Sequence, residues 1–396
     1  MDNTLVSGTS KAFQNEFGSL PEHIFLSPGR INIIGEHIDY NNGYVLPAAI
    51  DKYICFAVSE LKEGENSVFY AVDMEDRYNV AHAQELQPLK DEHTWANYLL
   101  GVLKQLNIRG IKTRPVQIAF SSSIPIGAGI SSSAALECGF AFALNEIFQL
   151  GLSKKDLALI GQKSEHTFAG VNCGIMDQFA SVFGQKEKVI KLDCDTLDYE
   201  YFDAHLGENT LVLLDSCVKH TLLTSGYNQI RRQVEEGLEI IKQNNPNVEN
   251  WRDVTHDMVE NLRERLGESV YEKSIFVVDE ISRVGEAADA LQKGNFGKLG
   301  ALLSATHHGL SRQYGVSCEE LDFLVEEVLK MDGVLGARMM GGGFGGCSLN
   351  LIRKDKAEEI ISNISNLYKK QFDIDLKVYP VNISEGTSKY TQHAEV

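Results

Sequence analysis

Positive charge is scarce in this sequence. Its 396 residues include 37 Lys and Arg against 55 Asp and Glu, which gives a formal net charge of −18. Nucleic acids and anionic membrane surfaces are bound largely through clusters of positive charge, so we expect neither as a partner. An anionic ligand would instead need a local site made of backbone N–H groups, a helix N-terminus and a few cationic side chains.

Long apolar runs are also absent. Residues 1–17 mix charged and polar side chains and contain no apolar stretch of signal-peptide length. The most apolar long segment, residues 134–150, contains Glu137, Asn145 and Glu146, and it is shorter than the roughly 20 residues that a membrane-spanning helix needs. We therefore expect a cytoplasmic location.

Paired cysteines and linker sequences are missing as well. The seven cysteines are scattered and form no C-x-x-C pair, which favours reduced, mostly buried thiols over a disulfide framework or a zinc site. No tract rich in Pro or Ser, no repeat and no G-x-x-x-x-G-K-[ST] phosphate loop occurs. The length indicates two or three domains. A shift in composition near residues 195–210 suggests one boundary, with domains at 1–205 and 206–396.

The pattern of apolar residues predicts a mixture of strands and helices. β-Branched and aromatic runs predict strands at residues 24–26, 45–59, 67–71, 116–120 and 210–214. Helices are predicted at 131–149, 153–169, 225–243, 279–293, 299–314 and 319–330, followed by a hairpin-like stretch at 336–352 and a final helix and strand. Ser131 or Ser132 is the expected N-cap of the first of these helices, and Ser153 with Asp156 has the spacing of a capping box.

Residues 27–50 carry the first unusual cluster. Arg30, Glu36, His37 and Asp39 lie within ten positions, among glycines and between two β-rich runs. Binding residues are often presented on such connections. The carboxylates and the histidine could hydrogen-bond a polyhydroxylated ligand or ligate a metal, and the spacing alone fits a solvated surface loop equally well.

Residues 123–137 form a Gly- and Ser-rich loop that opens onto a buried helix. Glycines let the backbone approach an anion, serines add hydroxyl donors, and the helix N-terminus adds partial positive charge. A phosphate site of this kind is possible in an acidic chain. A Ser-rich helix cap would also explain the loop, although a cap needs one serine and three are present in a row.

Residues 337–347 hold five glycines in six positions. They satisfy G-x-G-x-x-G, but a β-like run follows where the dinucleotide-binding motif requires a helix, so that interpretation fails. The segment could still be a hairpin turn or a loop that lies close to a ligand.

Glu165 and Asp177 complete the set of candidate functional residues, although each of them taken singly is more often a surface carboxylate.

Taken together, these segments resemble the superfamily of galactokinase, homoserine kinase, mevalonate kinase and phosphomevalonate kinase. Residues 29–47, GRINIIGEHIDYNNGYVLP, are similar to the galactokinase signature almost without departure, although Ile38 replaces the Thr of many bacterial members. Residues 225–232, SGYNQIRR, also match. The three motifs occur in family order, so the resemblance spans nearly the whole chain.

The resemblance implies an α+β fold with a ribosomal protein S5-like N-terminal lobe, a ferredoxin-like C-terminal lobe and the active site between them. It implies phosphorylation of D-galactose at C1 by ATP with Mg²⁺, the first committed step of the Leloir pathway. A kinase for N-acetylgalactosamine or L-arabinose is the nearest alternative, and a non-catalytic galactose sensor is another. No partner beyond sugar and ATP is implied, and we expect a monomer or a weak dimer.

Site residues follow from the resemblance position by position. Asp177 would be the catalytic base, or chiefly a group that positions the anomeric hydroxyl, and Arg30 would be its partner there; our hypothesis is the base. The sugar would be held by Glu36, His37, Asp39, Gly174, Asp177 and Tyr227. ATP would be held by Trp95 and Tyr98 near the adenine and by Pro125, Gly127, Ala128, Gly129, Ile130, Ser131, Ser132, Ser133 and Ala134 around the phosphates. Ser133 and Glu165 would ligate Mg²⁺, and the loop at 341–346 would close over the substrates.

Overall fold

The computed structural model describes residues 3–81, 85–125, 127–219 and 223–391, without the side chains of residues 219, 223–225 and 227. The strands are β1 (His23–Asn32), β2 (Tyr44–Val45), β3 (Pro47–Glu60), β4 (Ser67–Ala71), β5 (Asp76–Val80), β6 (Val116–Ser122), β7 (Lys188–Asp193), β8 (Tyr199–Asp203), β9 (Asn209–Lys219), β10 (Val334–Met339), β11 (Gly345–Arg353), β12 (Lys377–Val381) and β13 (Ser388–Lys389).

The helices surround these strands. They are α1 (Asn3–Phe17), α2 (Asn97–Ile108), α3 (Ser132–Phe148), α4 (Lys154–Ser164), α5 (Met176–Phe183), α6 (Leu223–Asn244), α7 (His256–Glu260), α8 (Arg263–Leu266), α9 (Glu268–Gln292), α10 (Phe296–Gly309), α11 (Glu319–Val328) and α12 (Ala357–Phe372). Within the described ranges, no helix combines the length and the apolar character that crossing a bilayer would require.

The larger sheet forms the centre of the N-terminal lobe. Its strand order is β13-β1-β3-β6-β4-β5, and every pair is antiparallel except β4 with β6. Alternate side chains of a strand point to opposite faces of the sheet. Leu26 accordingly packs with α1, while its neighbour Phe25 contacts Phe142 of α3 on the other face. The helix α3 is buried nearly all round, as its sequence predicts.

The last described strand, β13, belongs to the larger sheet of the N-terminal lobe. β13 pairs with β1 through Phe25–Lys389 and Leu26–Ser388. Beside it, three buried hydroxyl groups from β1, α5 and the chain before β13 hydrogen-bond to one another, namely those of Ser27, Ser181 and Thr387. The edge of the sheet next to β1 is therefore closed by residues from the far end of the sequence.

The C-terminal lobe contains an antiparallel sheet in the order β10-β11-β9-β12. Helices α11 and α12 bury their apolar sides against it. Helix α10 approaches β10 so closely that a Cβ atom on Gly300 would lie 2.0 Å from the carbonyl oxygen of Leu335. The remaining strands form a third sheet in the order β2-β7-β8. The predicted two-lobed α+β architecture is confirmed, while the boundary at residue 205, between β8 and β9, stays a prediction.

Most of the predicted elements are present, with differences at their ends. The capping box of Ser153 and Asp156 is confirmed at the start of α4. The predicted helix 153–169 is α-helical only as far as Ser164 and continues as a π-helical turn over Glu165–Ala169. The predicted helix 299–314 likewise ends in a π-helical turn over Leu310–Tyr314. Helices α1, α2, α7 and α8 are not among the predicted elements. α7 and α8 have five and four residues, which is too short to show a helical period. The short strands β5, β7, β8 and β13 were also missed.

Candidate active site

Arg30 and Asp177 form an ion pair where β1 meets the first turn of α5. Arg30 Nε donates to Asp177 Oδ1 at 2.8 Å, and Nη2 donates to Oδ2 at 3.1 Å. Arg30 Nη1 donates to the carbonyl oxygen of Gly129 at 2.7 Å. This bidentate geometry fixes the plane of the carboxylate. Since Arg30 is only 4% exposed, the pair is held rigidly and also tied to the Gly- and Ser-rich loop.

Ser131 has a different role from the one its position suggests. The sequence predicts Ser131 or Ser132 as the N-cap of α3, and Ser131 does occupy the N-cap position, but its side chain makes no capping hydrogen bond. Its φ of 62° places it in the left-handed region, which is uncommon for serine. Its hydroxyl instead donates a short hydrogen bond to Asp177 Oδ2. The predicted N-cap position is therefore confirmed, but the hydroxyl binds the charged carboxylate of Asp177 and does not cap the helix.

The Gly- and Ser-rich loop lines one wall of a cavity. Gly127 and Gly129 have φ of 80° and 73°, which favour glycine. A Cβ atom on Gly29 would lie 2.7 Å from the carbonyl oxygen of Ile130, so β1 can approach the loop only with glycine there. The loop residues around this cavity are Pro125, Gly127, Gly129, Ile130, Ser131, Ser132 and Ser133. Ala128 and Ala134 are fully buried behind it.

The third Gly-rich segment forms the turn between β10 and β11 and covers the same cavity. Gly341 and Gly343 have φ of 83° and 82°. A Cβ atom on Gly341 would lie 3.1 Å from the carbonyl oxygen of Gly129, and one on Gly343 would lie 2.1 Å from the carbonyl oxygen of Val316. The prediction of a hairpin is confirmed, and the turn lies against the loop of residues 127–133.

A second cavity is lined by the polar residues of the first segment. Arg30, Glu36, His37, Asp39, Glu165, Gly174 and Asp177 all face it. Gly174 packs directly on Asp39, since a Cβ atom on Gly174 would lie 1.9 Å from Asp39 Oδ2. Residues separated by more than 130 positions are therefore brought together in a cavity lined by hydrogen-bonding groups.

His37 is held in its neutral form by its surroundings. Burial lowers the pKa of His37 to about 4, with the nearby charge of Arg338 acting in the same direction. Its Nδ1 lies 2.8 Å from the hydroxyl of Tyr40, which in turn lies 3.0 Å from the hydroxyl of Tyr314. The sequence did not predict this chain of hydrogen bonds, because Tyr314 is remote in sequence.

The pKa of Asp39 is shifted in the opposite direction from that of His37. Burial raises the pKa of Asp39 to about 7, and the negative charges of Asp177 and Glu36 act in the same direction. A carboxyl group with this pKa gains or loses its proton near neutral pH, so its ability to accept hydrogen bonds depends on the pH.

Ser133 and Glu165 fit a magnesium site. Burial and the charge of Asp177 raise the pKa of Glu165 to about 7, while a hydrogen bond from Ser133 lowers it. Gln178 Nε2 donates to Glu165 Oε2 at 2.9 Å and orients the carboxylate. Glu137, fully buried one turn from Ser133, adds a further acidic group. Mg²⁺ prefers such oxygen ligands, and a cation would relieve the crowding of negative charge.

The remaining predicted residues lie apart from the two cavities or outside the described part. Trp95 Nε1 donates to Asp76 Oδ2 at 2.7 Å, and its ring packs on Phe120 of β6. Tyr98 lies in α2, and neither it nor Trp95 lines either cavity. Tyr227 lies in α6, but its side chain is outside the described residues. The predicted adenine and sugar contacts of these residues stay predictions.

The two cavities adjoin each other. Arg30, Asp177, Gly341 and Gly342 line both of them. One cavity has the features of an anion site, namely glycine backbone, three serines and the N-terminus of α3. The other has the features of a polyol site. A group bound in the first would meet a hydroxyl bound in the second at the carboxylate of Asp177.

Comparison with known proteins identifies the class. Residues 97–185 match the family model of the GHMP kinases N terminal domain, and residues 287–370 match that of the GHMP kinases C terminal. The fold is shared with a mevalonate kinase from Methanococcus jannaschii, at a TM-score of 0.66 and 17% identity over 92% of this chain and 99% of the other. The fold is therefore that of the GHMP kinases.

More similar relatives define the family within this class. Residues 11–60 match the galactokinase galactose-binding signature. A galactokinase from Thermosipho africanus is 40% identical over 92% of this chain and 98% of its own, and one from Clostridium perfringens is 37% identical over 98% and 99%. The crystal structure of Lactococcus lactis galactokinase complexed with galactose has a TM-score of 0.91 at 32% identity, covering 97% and 99%. The chain belongs to the galactokinase family.

Proposed function

We propose that this enzyme transfers the terminal phosphoryl group of ATP to the C1 hydroxyl of D-galactose, giving galactose 1-phosphate and ADP. The observation that carries this proposal is the pair of adjoining cavities that share Arg30 and Asp177. Phosphoryl transfer needs a nucleophilic oxygen in line with the phosphoryl group, charge stabilisation and exclusion of water. A hexose in one cavity and a triphosphate in the other meet at these two residues.

Asp177 and Arg30 are the proposed catalytic residues. Asp177 accepts the proton of the C1 hydroxyl as the new oxygen–phosphorus bond forms. In a loose transition state this proton transfer is late. Arg30 and Ser131 hold the carboxylate in position, through the hydrogen bonds that they donate to it. Arg30 also places positive charge beside the transferring phosphoryl group.

The sugar is proposed to be held by Glu36, His37, Asp39 and Gly174, with Tyr227 as a further contact. The neutral imidazole and the carboxylates offer complementary donors and acceptors to the hydroxyls of a hexose. The loop at 125–134 would hold the phosphates of ATP, with Trp95 and Tyr98 proposed near the adenine. The hairpin turn at 341–346 would exclude water from the reacting groups.

Ser133 and Glu165 would hold Mg²⁺, which neutralises the charge that develops on the phosphates. We expect Glu165→Gln to raise the Mg²⁺ concentration needed for half-maximal activity by about tenfold or more, the scale of losses at a metal site. Activity measured over a Mg²⁺ titration at saturating ATP and galactose checks this. Glu146→Gln, on the exposed side of α3, is the matched control. An unchanged Mg²⁺ requirement in the Glu165 variant would refute the role.

The pKa of Asp39, raised to about 7 by burial, predicts a pH dependence. Below this pKa the carboxyl is protonated and accepts hydrogen bonds from sugar hydroxyls less well. At saturating ATP and Mg²⁺, kcat/KM for galactose should fall below neutrality, by up to about tenfold per pH unit, since it reports the groups of the sugar-free enzyme. Above neutrality it should level off as the carboxyl becomes fully ionised. A flat profile across the acidic and neutral range, with the enzyme folded throughout, would contradict the prediction.

The proposed function is tested by ADP release on addition of D-galactose, with the position of the new phosphate read by phosphorus NMR. Phosphate at C1 supports the proposal. N-Acetylgalactosamine and L-arabinose are assayed beside galactose, because a higher kcat/KM for either would reassign the substrate. Galactose binding without ADP release would instead indicate a sensor.

A further inference from the structure

Glu280 of helix α9 is fully buried and reaches the backbone of the sugar segment, residues 32–39. Its Oε1 accepts hydrogen bonds from the N–H groups of Gly35 and Glu36, at 2.9 and 3.2 Å. Its Oε2 accepts hydrogen bonds from Thr306 Oγ1 at 2.7 Å and from Arg283 Nη1 at 2.9 Å. One carboxylate of the second half of the chain therefore fixes two consecutive amides beside the proposed sugar residues.

Arg338 of strand β10 holds the same segment from another side. It is fully buried, and its Nε donates to the carbonyl oxygen of Ile33 at 2.9 Å, while Nη2 donates to that of Asn32. Its Nη1 lies 2.7 Å from Glu36 Oε2. This ion pair engages one oxygen of the Glu36 carboxylate and so determines which way the other oxygen faces.

Buried charges are costly, and they are found where pairing and hydrogen bonds compensate for the lost hydration. Both residues meet this condition, and in both cases several of the compensating groups belong to residues 32–36. Packed apolar side chains would fill the same space without the cost of desolvation. Neither Glu280 nor Arg338 lines the sugar cavity, so contact with substrate does not explain their charge.

We propose that Glu280 and Arg338 are positioning residues that fix the orientation of Glu36 and His37 and thereby the affinity for the sugar. The inference rests on the proposed function. It assigns to two buried residues of the second half of the chain a part in sugar recognition, although neither of them lines the sugar cavity. Glu280 makes its hydrogen bonds away from the groups that would bind ATP, which lie on the other side of Arg30 and Asp177. Arg338 also donates to the carbonyl oxygen of Met339, close to the hairpin turn that lines the phosphate cavity.

Glu280→Gln and Arg338→Lys test the inference. The amide introduced by Glu280→Gln has a single oxygen, so it cannot serve both the backbone N–H groups and Arg283 as the carboxylate does. Lysine offers a single cationic group and cannot reproduce the fork of the guanidinium. Asp279→Asn is the matched control, because Asp279 also accepts a hydrogen bond from Arg283, at 3.2 Å, but does not contact the sugar segment.

We expect KM for galactose to rise about tenfold in each variant, the equivalent of one lost charged hydrogen bond. In Glu280→Gln, KM for ATP should stay within about twofold of wild type, because the phosphate loop keeps its own contacts, and Asp279→Asn should leave both KM values unchanged. Calorimetric titration with galactose alone should show the same loss of affinity. Circular dichroism and the retained KM for ATP report the fold.

Each other result counts against the inference. It is overturned if KM for galactose is unchanged in both variants, if both KM values rise together in Glu280→Gln, if Asp279→Asn has the same effect, or if neither variant folds. When one variant fails to fold, the other decides. A wild-type enzyme that neither binds nor phosphorylates galactose would overturn the proposed function as well, whereas normal wild-type turnover with unaffected variants overturns this inference alone.

Discussion

Replacing Asp177 with Asn is expected to lower kcat by about 100-fold or more, the scale of lost general base catalysis. The amide keeps the shape of the side chain but accepts no proton at the pH of the assay. Its NH₂ group would also face a donor, whether Arg30 or Ser131. Steady-state kinetics at saturating ATP and galactose measure the loss.

One further variant distinguishes the role of the Asp177 carboxylate from that of the serine that holds it, and another serves as a control. Ser131→Ala removes one hydrogen bond to Asp177 and leaves the carboxylate, so a loss of about tenfold is expected from the positional effect alone. Asp198→Asn, at an exposed position, controls for the chemical change and should behave as wild type. A kcat of Asp177→Asn close to wild type would refute the assignment of the base.

Gly174→Ala is expected to lower kcat/KM for galactose by about 100-fold, because a displacement of about 1 Å at a reacting centre has consequences of that size. The added Cβ atom would lie 1.9 Å from Asp39 Oδ2, so either Asp39 or the backbone at Gly174 must move. Both line the proposed sugar cavity. KM for ATP should change little, since the phosphate loop is on the other side of Arg30.

Gly285→Ala is the matched control for this substitution. Gly285 lies within α9, and its added Cβ atom would meet no atom within 4 Å. Alanine in a helix interior is more stable than glycine by about 1 kcal/mol, so the control should retain activity with an equal or higher midpoint of thermal unfolding. Normal galactose kinetics in Gly174→Ala would contradict the packing of Gly174 on Asp39.

The sequence indicated much of the fold and the site, for identifiable reasons. The strand before residue 123 is rich in β-branched and aromatic residues, and the helix after it is apolar nearly all round. These two elements present the Gly- and Ser-rich loop. Arg30, Glu36, His37 and Asp39 are close in sequence, so their clustering was visible without coordinates. The roles carried over from the resemblance remain proposals.

Other parts of the site depend on contacts between distant residues. The hydrogen bond from Ser131 to Asp177 joins positions 46 residues apart, and Glu280 meets Gly35 across 245 residues. No local pattern reports such a contact. A buried Glu in an amphipathic helix looks like any solvated one, and Arg338 before a glycine run looks like a strand end. Only the three-dimensional fold distinguishes them.

The pairing of β13 with β1 has a consequence for biosynthesis. β1, which carries Arg30, is synthesised long before its pairing partner, residues 388–389. This edge of β1 therefore stays unpaired in the nascent chain until residues 388–389 have been synthesised. Unpaired strand edges can form β-sheet hydrogen bonds with other chains. A premature stop codon shortly before Ser388 would release a polypeptide that still exposes this edge, and such products would be prone to self-association.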